Sequence, residues 1–107
     1  MPNPYFPTLS VAVTGNAGSQ NLVAASAGQS TRLWQLLIGA TTNDATAQFT
    51  YTAAGTSVTM KVPVALGTTV MPMSGAPYAI ADVNTAITFT AAAGTTFNAY
   101  YTKGAGG

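Results

Sequence analysis

The chain has 107 residues with no cysteine and no histidine, and only five side chains carry charge: Arg32, Asp44, Lys61, Asp82 and Lys103. An ordinary soluble domain is about one quarter charged, so this surface must be covered by Thr, Ser, Ala, Gly, Asn and Gln, which are cheaper to strip of water than ions. The composition excludes disulfides and thiolate metal sites and argues against a phosphate-binding face, which needs several cations together. A net charge of +1 also leaves little repulsion between copies, which favours association.

Residues Met1 to Pro7 read as an extended arm, because Pro2, Pro4 and Pro7 exclude helix and favour a polyproline-like path. Tyr5 and Phe6 sit between these prolines. The arm lacks the basic and apolar regions of a signal peptide, and no apolar run approaches the roughly 18 residues of a membrane span. The expectation is a chain made and folded in a cytoplasm, with no membrane partner.

From Thr8 onward the period is two. Leu9, Val11 and Val13 alternate with Ser10, Ala12 and Thr14, and Gly15 to Ser19 forms a loop. Gln20 to Ala25 is a short strand ending at the turn Ala27-Gly28-Gln29-Ser30. Thr31 to Ala40 is the most apolar stretch and is apolar on both faces, as a buried central strand would be; a short helix is the competing reading. Phe49 and Tyr51 then alternate with Gln48 and Thr50, and Ala53-Ala54-Gly55 turns the chain. Val58, Met60, Val62 and Val64 share the next inner face, and Pro63 marks an edge or a strand end. Residues 65 to 84 are irregular. Ile87, Phe89 and Ala91 alternate with Thr88 and Thr90, and Ala92-Ala93-Gly94 turns again. Phe97, Ala99 and Tyr101 face inward in the last strand, which leaves Tyr100 outward. The domain runs from 8 to 102, and residues 103–107 form a glycine-rich tail that frays. About eight short strands at this spacing predict an all-β antiparallel sandwich.

Little catalytic chemistry is available. The only carboxylic side chains are Asp44 and Asp82, each beside an asparagine in a turn, where such groups ordinarily bond to backbone amides. A Ser–Lys pair would have to use Lys61 on a polar strand face or Lys103 in the tail, and neither place suggests the desolvation that activates a lysine. Gly15-Asn16-Ala17-Gly18 precedes a strand rather than a helix and so lacks the dipole of a phosphate cradle. Trp34, in the most apolar strand, is expected to anchor the core rather than to serve as a ligand platform. The expectation is a non-enzyme with no cofactor and no metal.

The order of segments resembles small virion proteins of tailed bacteriophages. The likeness covers residues 9 to 102. It rests on Asn21-Leu22-Val23-Ala24-Ala25, Ala27-Gly28, Arg32-Leu33-Trp34, Gln48-Phe49-Thr50, Ala54-Gly55-Thr56, the strand from Val58, Ala93-Gly94 and Tyr100-Tyr101. Such proteins are jelly-roll-like sandwiches that serve as capsid decoration (cement) proteins, head fibres or tail accessories. The resemblance implies a structural role on the capsid exterior, a major capsid protein as partner, and a homotrimer. Head-fibre, tail-accessory and glycan- or receptor-binding adhesin roles are the alternatives. The Pro-rich arm and the segment Met71-Pro72-Met73 lie outside the pattern, and Tyr5, Phe6, Met71, Met73 and Tyr100 are the candidate contact residues.

Overall fold

The computed structural model describes residues 9–43, 47–72 and 75–105. Its nine strands are β1 (Leu9–Thr14), β2 (Ser19–Val23), β3 (Gln29–Ala40), β4 (Gln48–Ala53), β5 (Thr56–Lys61), β6 (Gly67–Met71), β7 (Ala79–Ile80), β8 (Ile87–Thr90) and β9 (Thr96–Ala105). The chain behaves as one long hairpin folded back on itself. Its tip is the two-residue turn Ala54-Gly55, both residues at positive φ (51° and 78°), the geometry whose twist matches a β ribbon. Outward from that tip β4 pairs β5, β3 pairs β6, β2 pairs β8 and β1 pairs β9, all antiparallel.

Wrapping this ribbon distributes its strands over two sheets, β1-β9-β3-β6 with the short β7 also on β3, and β2-β8-β4-β5. This is the jelly-roll order, in which the ribbon folds around a core and leaves β1, β6, β2 and β5 at the ends of the two sheets. The all-β antiparallel sandwich is therefore as the alternation predicts. Against about eight expected strands there are nine, and two of them, β6 and the two-residue β7 beside Arg32 and Leu33, fall in residues 65–84, whose glycines and prolines hide any period.

The core fills the space between the sheets. Phe97, Leu36 and Ile38 come from the five-stranded sheet and Phe49, Phe89 and Ile87 from the four-stranded one, all essentially excluded from water. β3 is a strand twelve residues long, which settles the helix alternative.

Trp34 is not a core anchor. The β3–β9 register slips between Leu33 and Gln35, which face the consecutive residues Tyr101 and Tyr100. The extra residue of this bulge is Trp34. Leu33 and Leu36 both face inward although three apart, and Trp34 is turned to the outer face, half-buried, its Nε1–H donating to Thr102 Oγ1 at 2.9 Å. The last strand also runs further than the sequence boundary. β9 continues through Ala105 and pairs Lys103, Gly104 and Ala105 with Thr31, Ser30 and Gln29, because the long β3 offers them a partner.

One buried polar group is unsatisfied. Thr31 is 1% exposed, and its Oγ1 has no hydrogen-bond partner among the described residues. A buried hydroxyl in that state costs about 1–3 kcal/mol. Thr31→Val keeps the branched shape and removes the hydroxyl, so it should raise the melting temperature by roughly 5 °C or more. A lower melting temperature would show that the hydroxyl is in fact satisfied.

Candidate interaction face

Strand parity and register decide what each broad face of the sandwich wears. On the outside of the four-stranded sheet, Thr88, Thr50 and Thr59 lie side by side on β8, β4 and β5, with Thr90, Gln48 and Lys61 in the adjoining row. Thr50 and Thr59 share a hydroxyl hydrogen bond of 3.0 Å. This face is a field of hydroxyls with one cation.

The outside of the five-stranded sheet is different. Leu37 of β3 pairs Val70 of β6, Arg32 of β3 pairs Ile80 of β7, and Tyr100 of β9 pairs Gln35 of β3. Trp34 joins them from its bulge. Val70 and Ile80 are 48% and 47% exposed, far more than a β-branched aliphatic residue needs to be in a settled sheet. Asn98, Thr102 and Ser10 supply neutral hydrogen-bonding groups around Trp34, Leu37, Val70, Ile80 and Tyr100, and Arg32 is the one charge among the described residues of this face. An aromatic and aliphatic centre, a neutral polar surround and few ions are the marks of a protein interface.

Of the expected contact residues, Met71 and Tyr100 are described, and they fall on opposite faces of their sheet. Tyr5, Phe6 and Met73 lie outside the described residues, as does Asp44. Met71 sits in β6 opposite Leu36, and its half-buried side chain packs against the core, so it belongs to the inner face rather than to a contact surface. Tyr101 likewise packs on the core, which leaves Tyr100 on the opposite face, half-buried. Of the two expected contacts among the described residues, Met71 and Tyr100, Tyr100 lies on the face described above. Trp34, Leu37, Val70 and Ile80 were not singled out as contacts, because their common side depends on which strands pair and on the bulge at Trp34.

The groups considered for catalysis have structural work. Asp82 accepts the backbone N–H groups of Ala54 (2.9 Å) and Gly55 (2.8 Å) with its two carboxylate oxygens, holding the ribbon tip from the β7–β8 loop. Its neighbour Asn84 does the same for Gly28 at 2.7 Å. One short loop thus pins two turns. Lys103 donates from Nζ to Ala24 O and to Ser26 Oγ, both at 2.6 Å. Both bonds tie the β2–β3 loop to β9. Lys61 is exposed on β5.

Asp82→Ala removes two charge-assisted bonds of a class worth about 1.5–3 kcal/mol each. Water can replace part of them at an exposed turn, so a melting-temperature loss on the order of 10 °C is expected. Asp82→Asn, which keeps one acceptor oxygen, should lose clearly less. Equal losses would show that the carboxylate's two-point grip is not what matters.

The chain matches no known family model, no curated protein and no solved structure.

Proposed function

We propose that this chain is a non-enzymatic structural virion protein, a decoration (cement) protein that binds the major capsid protein on the outside of a bacteriophage head. The observation that carries the reading is the neutral aromatic–aliphatic face on the outer side of the five-stranded sheet. It suits a small rigid module that acts by covering other protein surfaces. The likeness of residues 9 to 102 to small phage virion proteins supports the same reading. In mechanism, such a protein adds buried area across joints between capsid subunits, which internal DNA pressure would otherwise open. Self-association belongs to this reading.

The test is the composition and endurance of whole particles. Particles should carry hundreds of copies of the protein, and particles lacking it should release their DNA at a lower temperature. A handful of copies at one vertex would make it a fibre or tail component. Absence from purified particles would overturn the proposal.

A second reading, an adhesin for host-surface glycan, is favoured by one observation. The Trp34 ring lies on the outer face with its N–H already bonded to Thr102, near Gln35 and Asn98 in the paired strands. Aromatic rings beside neutral hydrogen-bonding groups suit a sugar. Selective retention on a glycan array, lost in Trp34→Ala, would choose this reading. Uniform failure to bind would remove it.

A further inference from the structure

We propose that two copies of this chain pair through the outer faces of their five-stranded sheets, about a two-fold axis lying across the strands. The inference rests on the reading of the protein as a binding module and names the surface and the partner.

Three observations carry it. The first is charge. The five apolar side chains Trp34, Leu37, Val70, Ile80 and Tyr100 are accompanied by a single cation, Arg32, in a chain whose net charge is only +1. A face without a charge code does not select a charged foreign partner, and it meets its own copy with little repulsion.

The second is area. The fold is a slab of 38 × 31 × 18 Å, its thin direction holding the two stacked sheets. An ellipse inscribed in the broad face covers roughly 900 Å², so a standard stable interface of about 800 Å² per partner would take nearly the whole face.

The third is the difference between the two broad faces. A three-fold ring needs two different, mutually complementary patches on each copy, whereas a two-fold pair needs one patch that meets itself. Among the described residues one broad face carries five apolar side chains within a neutral polar surround and the other is a field of hydroxyls. That favours a pair over the trimer implied by the resemblance.

The position of Arg32 sets the axis. It lies at one end of the face, in the row Thr102–Arg32–Ile80, and the far end is the row Thr14–Thr96–Gly39–Thr68. A two-fold axis along the strands would bring Arg32 near Arg32 of the partner subunit. An axis across the strands places each Arg32 over hydroxyls instead.

Trp34 is the single tryptophan of the chain and lies on the proposed face, so it reports directly on pairing. The full chain at tens of micromolar should sediment as a dimer, and dilution should shift its tryptophan emission to the red. Val70→Asp and Val70→Lys, each placing a charge at an exposed position away from the Arg32 end of the face, should weaken pairing about a hundredfold with an unchanged circular dichroism spectrum. If one variant fails to fold, the other carries the test. Thr59→Lys on the hydroxyl face should leave the dimer intact. A monomeric native chain, a trimer indifferent to both charges, or emission that responds to added glycan but not to dilution would overturn the pairing. Copies still found on purified particles would then leave the virion reading standing.

Discussion

Replacing Phe97 by alanine should come close to unfolding the protein. Phe97 is fully buried in β9, between Val13 of β1 and Ile38 of β3, and its ring centroid lies 4.9 Å from that of Phe89 on the opposite sheet. The two rings are the direct link between the sheets. Deleting a buried phenylalanine costs about 3–5 kcal/mol, and losing the aromatic pair adds about 0.5–1.5 kcal/mol. A domain of this size has about 5–15 kcal/mol in all. The expected result is a melting temperature lower by on the order of 20 °C, or no cooperative transition at all. Trp34→Ala, at a half-buried position on the outer face, should cost well under half as much. If Trp34→Ala proved the more damaging of the two, the assignment of Phe97 to the core and Trp34 to the surface would be reversed.

Among the described glycines, Gly15 should be the one least able to accept a methyl group. A Cβ at Gly15 would lie 2.7 Å from Ala92 O and 2.8 Å from Ala91 O, distances at which something must move. The obstacles are backbone carbonyls, not pliable side-chain ends. The surrounding bonds also fasten the β1–β2 loop to the β8–β9 loop: Gly15 N–H donates to Thr95 O at 2.7 Å and Ala17 N–H to Ala91 O at 2.9 Å. Overpacking of this kind costs about 1–3 kcal/mol or more, and unyielding backbone puts Gly15 at the upper end. A melting-temperature loss on the order of 15 °C is expected. Gly39→Ala is the control, since a Cβ there meets nothing within 4 Å. It should be neutral or slightly stabilising, because glycine weakens a strand. A Gly15→Ala protein melting with the native one would mean that the two loops are not held this closely.

The class of fold was legible in the sequence because strand alternation is a local property. Phe49 with Tyr51, Ile87 with Phe89, and Phe97 with Ala99 each recur at a spacing of two, and each pair shares a face in the structure. The turns at Ala54-Gly55 and Gly94 were likewise legible, since glycine and its neighbours mark where φ can turn positive.

The interaction face was not legible in this way. Leu37 and Val70 become neighbours only because β3 pairs β6, and Ile80 reaches the same side only because β7 adds to β3. Trp34 was assigned inward because ten largely apolar residues give no period to break the tie, and the bulge that turns it outward is set by register with β9. Lys103 likewise looked like the start of a tail, and only β3's length makes it part of a strand. What each strand can bury follows from side chains two positions apart. Which strands meet, in what register, and therefore what the outer faces present, depends on hydrogen bonding and packing between residues far apart in the chain.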